Sequence, residues 1–408
     1  MIDHPTRTSR RLAAKTSTVI LLAAIAAVGQ FASNIYTPSL PSVASDLRIS
    51  HGASQMTLAV FLAAFALMQL VVGPLADRFG RKPVLLAGLA LFLTGTVLCG
   101  LAPDLASLVT GRIVQGAGAA AGIVVSRATT RDSFEGVELA KVLAAVTIAF
   151  ALVPGLTPLM GGVVEHLLGW RATFWLTATL GLVLAIVVLR TLPETLATPR
   201  PVSPATELSG YAMILRDPVF RTNALAVAGA FASMSAFFSG APAVLIDSLG
   251  ISPIEFGFYP PVAVSGFIIG GIVTRQRAGL VRPQAMSELG ARIMLVGAVL
   301  IFAPPALGLL NKFAINAAMV VHVTGLGILL PASIAAALQR FPDRAGAAAA
   351  LQGFLQMSGG ALGAAATAAL SARLGDLSFP AVMLCATTLG WLITSRLIPT
   401  PDHAPTGP

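Results

Sequence analysis

The sequence predicts an all-α membrane protein of twelve transmembrane helices in two six-helix halves, with the N- and C-termini cytoplasmic. Three observations lead there. The composition is 56% hydrophobic and only 11% charged, with a mean hydropathy of +0.84, which is more apolar surface than a soluble chain of 408 residues buries. Apolar runs of about 20 residues, each long enough to cross a hydrocarbon core of roughly 30 Å as a helix, recur along the chain. The cations alternate in position: with the N-terminus inside, all but five of the 26 Lys and Arg fall in the tails, in the even-numbered loops or at the span ends beside them. The five are Arg48, Arg171, Lys312 and Arg373 on the other face and Arg112 within a span. That is the positive-inside pattern.

The net charge of +9 is therefore spread over one membrane face and not gathered into a stripe, which argues against nucleic acid as a partner. The partners expected are the lipid bilayer, a small-molecule substrate and protons. Cys99 and Cys385 lie in different spans and fit neither a disulfide framework nor a metal site. No metal triad, phosphate loop or activated nucleophile is present, so no cofactor and no enzymatic activity are expected.

The predicted spans are 17–40, 52–75, 83–101, 106–126, 139–164, 171–190, 219–240, 253–274, 289–308, 313–338, 346–370 and 378–397. The basic leader before the first span resembles a secretory signal, with Ala24-Ile25-Ala26 as a small-x-small triplet. An uncleaved first helix fits better, because eleven more spans follow with their charge alternation intact. On that helix Gln30, Asn34 and Thr37 share one face, which either lines a cavity or bridges neighbouring helices.

Between spans two and three lies a charged island, Gly73-Pro74-Leu75-Ala76-Asp77-Arg78-Phe79-Gly80-Arg81-Lys82-Pro83, expected to be a short loop at a membrane face. Span four opens with Thr110-Gly111-Arg112-Ile113-Val114-Gln115-Gly116. An arginine inside a span marks a site facing water, a partner or a ligand, unless it snorkels to the outer face. Gln115 lies one turn on. The glycines that follow suit close helix packing rather than a dinucleotide loop, since no strand precedes them.

The next loop, Ser126 to Asp132, contains Arg127 and Arg131. Span five holds Pro154, Pro158, Gly161 and Gly162, a proline and glycine set that neighbouring membrane helices can support as a kink, and ends near Glu165-His166. The proline-rich stretch 197–217 reads as a cytoplasmic linker between an N-terminal bundle, 1–196, and a C-terminal bundle, 218–408.

In the second half, Gly270-Gly271 with Arg275, Arg277 and Arg282 stands where a repeat of the island falls, as a degraded copy. Phe231, Ser233, Ser235, Phe237, Phe238 and Ser239 put aromatic and hydroxyl groups on span seven. Gln352 and Gln356 give span eleven a polar face. Either set touches a substrate or belongs to ordinary packing.

These residues carry a resemblance over nearly the whole chain. Gly73 to Lys82 resembles the signature loop of the major facilitator superfamily, Leu108 to Ala120 its fourth-helix motif, and Thr157-Pro158-x-x-Gly161-Gly162 the fifth-helix motif of its antiporters. Tyr36-x-Pro38-x-Leu40-Pro41, Arg127-Ala128-x-x-Arg131-Asp132, Leu192-Pro193-Glu194-Thr195 and Phe341-x-x-Arg344-Ala345-Gly346 are similar to the bicyclomycin and chloramphenicol resistance (Bcr/CflA) exporters. The resemblance implies a monomeric drug:proton antiporter of the bacterial inner membrane that works by alternating access. A proton-independent facilitator, or an exporter of a sugar, nucleoside or other metabolite, is the alternative.

One position departs from that pattern. Asn34 stands where these exporters usually carry an aspartate, so the acid expected to move protons is missing. Glu165 and His322 are the remaining candidate proton carriers, His322 being equally readable as a structural hydrogen-bonder. Arg112 is then expected to pair with an anionic or polarised substrate, helped by Asn34. Gly73, Asp77, Arg78, Gly80, Arg81, Arg131 and Arg344 form the expected conformational gate, with Asp77 near the start of helix eleven at Asp343 to Gly346.

Overall fold

The computed structural model describes Leu12 and residues 16–198, 204–277 and 279–396. Among them there is helix and no strand. The helices are α1 (Thr16–Asn34), α2 (Leu40–Asp46), α3 (His51–Phe79), α4 (Arg81–Gly100), α5 (Leu105–Ser133), α6 (Gly136–Leu168), α7 (Trp170–Thr191), α8 (Pro204–Arg216), α9 (Pro218–Pro242), α10 (Pro253–Arg277), α11 (Pro283–Ala306), α12 (Lys312–Leu338), α13 (Ala345–Leu374) and α14 (Ser378–Arg396).

Among the described residues eleven stretches are long and apolar enough to cross a membrane, and the last of them runs for 54 residues. That length exceeds a single span, and Gly375, at φ 51°, breaks it into α13 and α14. The chain is a multi-pass membrane protein. Its ends of helices are set by local chemistry. The Asp104 carboxylate accepts from the Ser107 amide at 2.8 Å in a capping box, Asp217 caps Phe220 at 2.8 Å with Pro218 at the first helical position, and Asn311 caps Phe313 and Ala314.

Two expectations are corrected here. The charged island is not a loop: α3 continues to Phe79, α4 starts at Arg81, and Gly80 at φ 105° is the one non-helical residue between them. Ser126 to Asp132 is likewise the last two turns of α5. Charge at a membrane face does not interrupt a helix, because long side chains reach water while the backbone bonds stay made. Within 197–217, Pro204 opens the helix α8.

The first span is also broken. α1 stops at Asn34, and a tight turn over Thr37–Ser39 leads into α2. Pro38 lacks the amide that would continue the ladder.

In lipid, apolar burial gives helices no reason to associate, so close backbone approach must do it. Gly88, Gly95 and Gly118 let α4 and α5 touch backbone to backbone. Gly290, Gly297 and Gly325 do the same for α11 and α12. α3 packs along α13 and α6 along α10, contacts between helices far apart in the chain.

Candidate functional site

Where α1, α3, α6, α9, α10, α12 and α13 converge, a cavity lies deep in the helix bundle. One wall is polar: Gln30, Ser33 and Asn34 on α1. The facing walls carry Phe150, Phe231, Met234, Phe238, Phe267 and Met357. Phe231, Met234, Ser235 and Phe238 follow the spacing i, i+3, i+4, i+7, so they form one stripe of α9.

Two of the eight predicted cavity residues, Gln30 and Asn34, line this space, and Pro154 of the proline and glycine set joins them. The other six are buried elsewhere. Thr37 donates to the Asn34 carbonyl at 2.9 Å inside the turn. Phe237 is one residue, hence about 100°, off the lining stripe and packs its ring on Phe238 and Phe379. Gln352 and Gln356 share a stripe with Gly359 and Gly363, which face the Ala228 and Ala232 carbonyls of α9.

Arg112 overturns the expectation made for it. It is fully buried, away from the cavity, with its guanidinium 4.3 Å from the Phe61 ring centroid, 5.0 Å from Tyr36 and 5.9 Å from Phe174. Its N–H groups donate to the Gln115 amide oxygen at 2.7 Å, the Thr57 carbonyl at 3.3 Å and the Ala32 carbonyl at 3.4 Å. The Ala32 carbonyl belongs to the last turn of α1, whose carbonyls lose their helical N–H donors at the break. Arg112 thus holds the interrupted first span against α3 and α5, with aromatic faces in place of an anion. Gln115 passes the network on to the Thr96 hydroxyl at 2.9 Å.

His322 is also sealed, with no exposed surface. Nδ1 lies 2.9 Å from the Met294 carbonyl, which can only accept, so Nδ1 carries the proton and Nε2 accepts from the Ser233 hydroxyl at 3.0 Å. That is a structural histidine tying α12 to α9 and α11. Glu165 differs: it is buried at 8% exposure, its Oε2 has no partner, and it borders a wider crevice with Asp46, Arg171 and Asp247 at the end of the bundle far from Asp77. There Asp46 accepts from Arg171 at 2.6 Å and from the Trp170 indole at 3.0 Å.

The far end is tied across the bundle. Gly162 of α6 meets the Pro253 backbone, Gly52 of α3 meets the Ala368 backbone, and His51 stands 3.7 Å from Asp247. Gly161 gives α6 room against the Ile35 carbonyl at the break in the first span. α6 itself runs unbroken through Pro154 and Pro158.

At the opposite end two of the residues expected to form a gate, Asp77 and Arg81, belong to a network with Asp132 and Glu194. Arg81 pairs with Asp77 at 2.5 Å and with Asp132 at 2.9 Å. The Glu194 carboxylate accepts from the backbone amides of Arg81 (3.0 Å), Lys82 (3.1 Å), Thr195 (2.9 Å) and Leu196 (2.8 Å), capping α4 from the end of α7. Glu194 entered the sequence reading only as part of a motif, since a reach across more than a hundred residues leaves no local signal. A side chain on Gly80 would strike the Glu194 carboxylate, so glycine is required there for space as well as for φ.

Asp77 does not bond the start of α13. Arg131 reaches it instead, with Nη1 3.9 Å from where a side chain on Gly346 would begin. Arg344 lies against Gly210 of α8, Arg78 lies over the Phe79 ring at 5.1 Å, and Gly73 has only Val124 nearby. The Tyr211 hydroxyl on α8 donates to the Leu70 carbonyl at 3.2 Å, and burial, with Glu207 and Asp77 nearby, pushes its phenol up to about 12.

Comparison with known proteins agrees with this architecture. The chain is similar to the uncharacterized MFS-type transporter YdgK of Bacillus subtilis, with 31% identity covering 88% of each chain. It is 29% identical to Multidrug resistance protein D of Escherichia coli, over 93% of this chain and 95% of that one. Among solved structures, a bacterial homologue of the human lysosomal transporter Spinster, inward-facing and occupied, superposes with a TM-score of 0.74 at 18% identity, over 98% of this chain and 100% of the other. The xylose transporter XylE of Escherichia coli, partially occluded and inward-open, gives 0.73 at 13% identity, over 94% and 97%. The family model described as Major Facilitator Superfamily matches residues 22–364, and the chain belongs to that superfamily.

Proposed function

We propose that this chain is a secondary active exporter of small amphipathic, drug-like compounds, of the Bcr/CflA type, driven by proton exchange across the bacterial inner membrane. The observation that carries the reading is the central cavity: a polar wall on α1 facing phenylalanine and methionine, which suits an amphipathic guest and gives sugar hydroxyls too few partners. The multidrug resistance relative supports the same substrate class.

In this reading the chain works as a monomer of two halves, 1–196 and 218–408 joined by 197–217, that rock about the cavity. The Asp77, Arg81, Asp132 and Glu194 network lies at the cytoplasmic end and biases which side is open. Glu165, buried with a free oxygen beside the far-end crevice, takes and releases the proton. Its remoteness from the cavity makes the coupling conformational: protonated Glu165 tolerates the closed far end, and the ionised form favours water.

Inside-out vesicles containing the protein test this. Adding an exported compound to vesicles with an acidified lumen should alkalinise the lumen, and Glu165→Gln should abolish the response. Substrate movement with no pH change would assign a facilitator instead. Failure of the expressed protein to raise resistance to any compound of a broad panel would remove the drug-export reading.

A further inference from the structure

We propose that the central cavity selects uncharged aromatic compounds that carry a hydrogen-bond donor, and rejects fixed cations and anions. This rests on the exporter reading and narrows its substrate class. Among the described residues, no Asp, Glu, Lys, Arg or His lines the cavity. Arg112 and His322 have no exposed surface; both ring nitrogens of His322 bond other protein groups, and Arg112 bonds through Nε and Nη1 while its buried Nη2 has no partner among the described residues.

A cation entering this space surrenders its hydration and meets no carboxylate. The phenyl faces recover part of that loss. A neutral guest gains the same rings without the loss, so the difference between the two is set by desolvation. An anion fares no better, because the guanidinium that would receive it is walled behind Tyr36, Phe61 and Phe174.

Asn34 supplies the polar half of the selection. Its amide group lies 2.8 Å from the Gln30 carbonyl, 2.8 Å from the Ser33 hydroxyl and 3.3 Å from the Gln30 side-chain oxygen. A backbone carbonyl only accepts, so the nitrogen of Asn34 must be the atom on that side. All of these bonds are made by the nitrogen, which leaves Oδ1 of a side chain that lines the cavity as the acceptor open to a guest. The guest that completes it brings an N–H or O–H group.

The test compares ethidium, a permanent cation, with its unalkylated parent diamino-phenylphenanthridine, which has the same rings and amino donors without the charge. Binding is measured on the full chain in nanodiscs at mildly alkaline pH. The neutral compound should bind about tenfold more tightly or better, Asn34→Leu should weaken it about tenfold by removing the acceptor, and Asn34→Asp should erase or reverse the preference. Ethidium binding within about threefold of its parent overturns the proposal, as does failure of both compounds to bind. An unchanged preference in Asn34→Asp refutes the role given to Asn34. Failure of the exporter reading shows separately, as no resistance and no vesicle transport for any compound of the panel.

Discussion

Glu194 offers the sharpest quantitative test of how the charged end is held. The first amides of α4 have no partner within their own helix, and the Glu194 carboxylate receives those of Arg81 and Lys82. Replacing it by glutamine keeps the shape but removes the charge and turns one of its oxygens into a donor. At least one charge-assisted bond is lost, worth about 1.5 to 3 kcal/mol. Taking about 2 kcal/mol, the population with this end of α4 detached rises roughly 30-fold, at 1.4 kcal/mol per tenfold. Hydrogen exchange of the Arg81 and Lys82 amides should accelerate by that factor in Glu194→Gln, while amides in the middle of α5 keep their protection. Protection at Arg81 and Lys82 unchanged within about threefold would refute the capping argument, since the opening free energy would then owe little to the carboxylate.

Other perturbations separate holding from handling of substrate. Arg112→Ala should cost about 3 kcal/mol or more, by emptying an aromatic cage and orphaning the Thr57 and Ala32 carbonyls, and should leave substrate affinity of the folded fraction within about threefold. Thermal exposure of the buried Cys99 thiol in a Cys385→Ala background reads the stability, and a large loss of affinity at unchanged stability would return Arg112 to the cavity. Gly162→Leu should wedge α6 from the Pro253 backbone, raising far-side labelling of a cysteine placed at Ser42 and cutting transport; unaltered labelling would show that this contact does not close the far end. Asp77→Asn removes the Arg81 ion pair and should raise cytoplasmic labelling of a cysteine at Ser235 in the cavity, with equal labelling in the two proteins counting against a gate.

The number and order of spans were legible because a bilayer imposes a length on every apolar run. Loops were harder. Charge reads as a break at 73–83 and 126–132, whereas helix persists through most of each and Gly80 alone makes the turn between α3 and α4. Cavity residues were legible where periodicity sufficed, as with Gln30 and Asn34. Phe237 missed by one position, and nothing local distinguishes a lining stripe from one that faces another helix. Arg112 was read through charge alone. A span that stops midway exposes carbonyls, and the one at Ala32, with the Thr57 carbonyl and three aromatic rings, accommodates a guanidinium without an anion.

The glycine contacts between α4 and α5 and between α11 and α12 have a mechanical meaning. Gly88 and Gly95 are spaced as Gly290 and Gly297 are, and at each of the four an added methyl would collide with the neighbouring helix. Each hairpin is therefore a stiff bar with no room to slip along its seam. Any stroke that carries cargo must be spent on the seams of α3 with α13 and α6 with α10, where the two sets of helices meet. The same seven-residue spacing thus locks both hairpins alike, whatever charges lie at their ends.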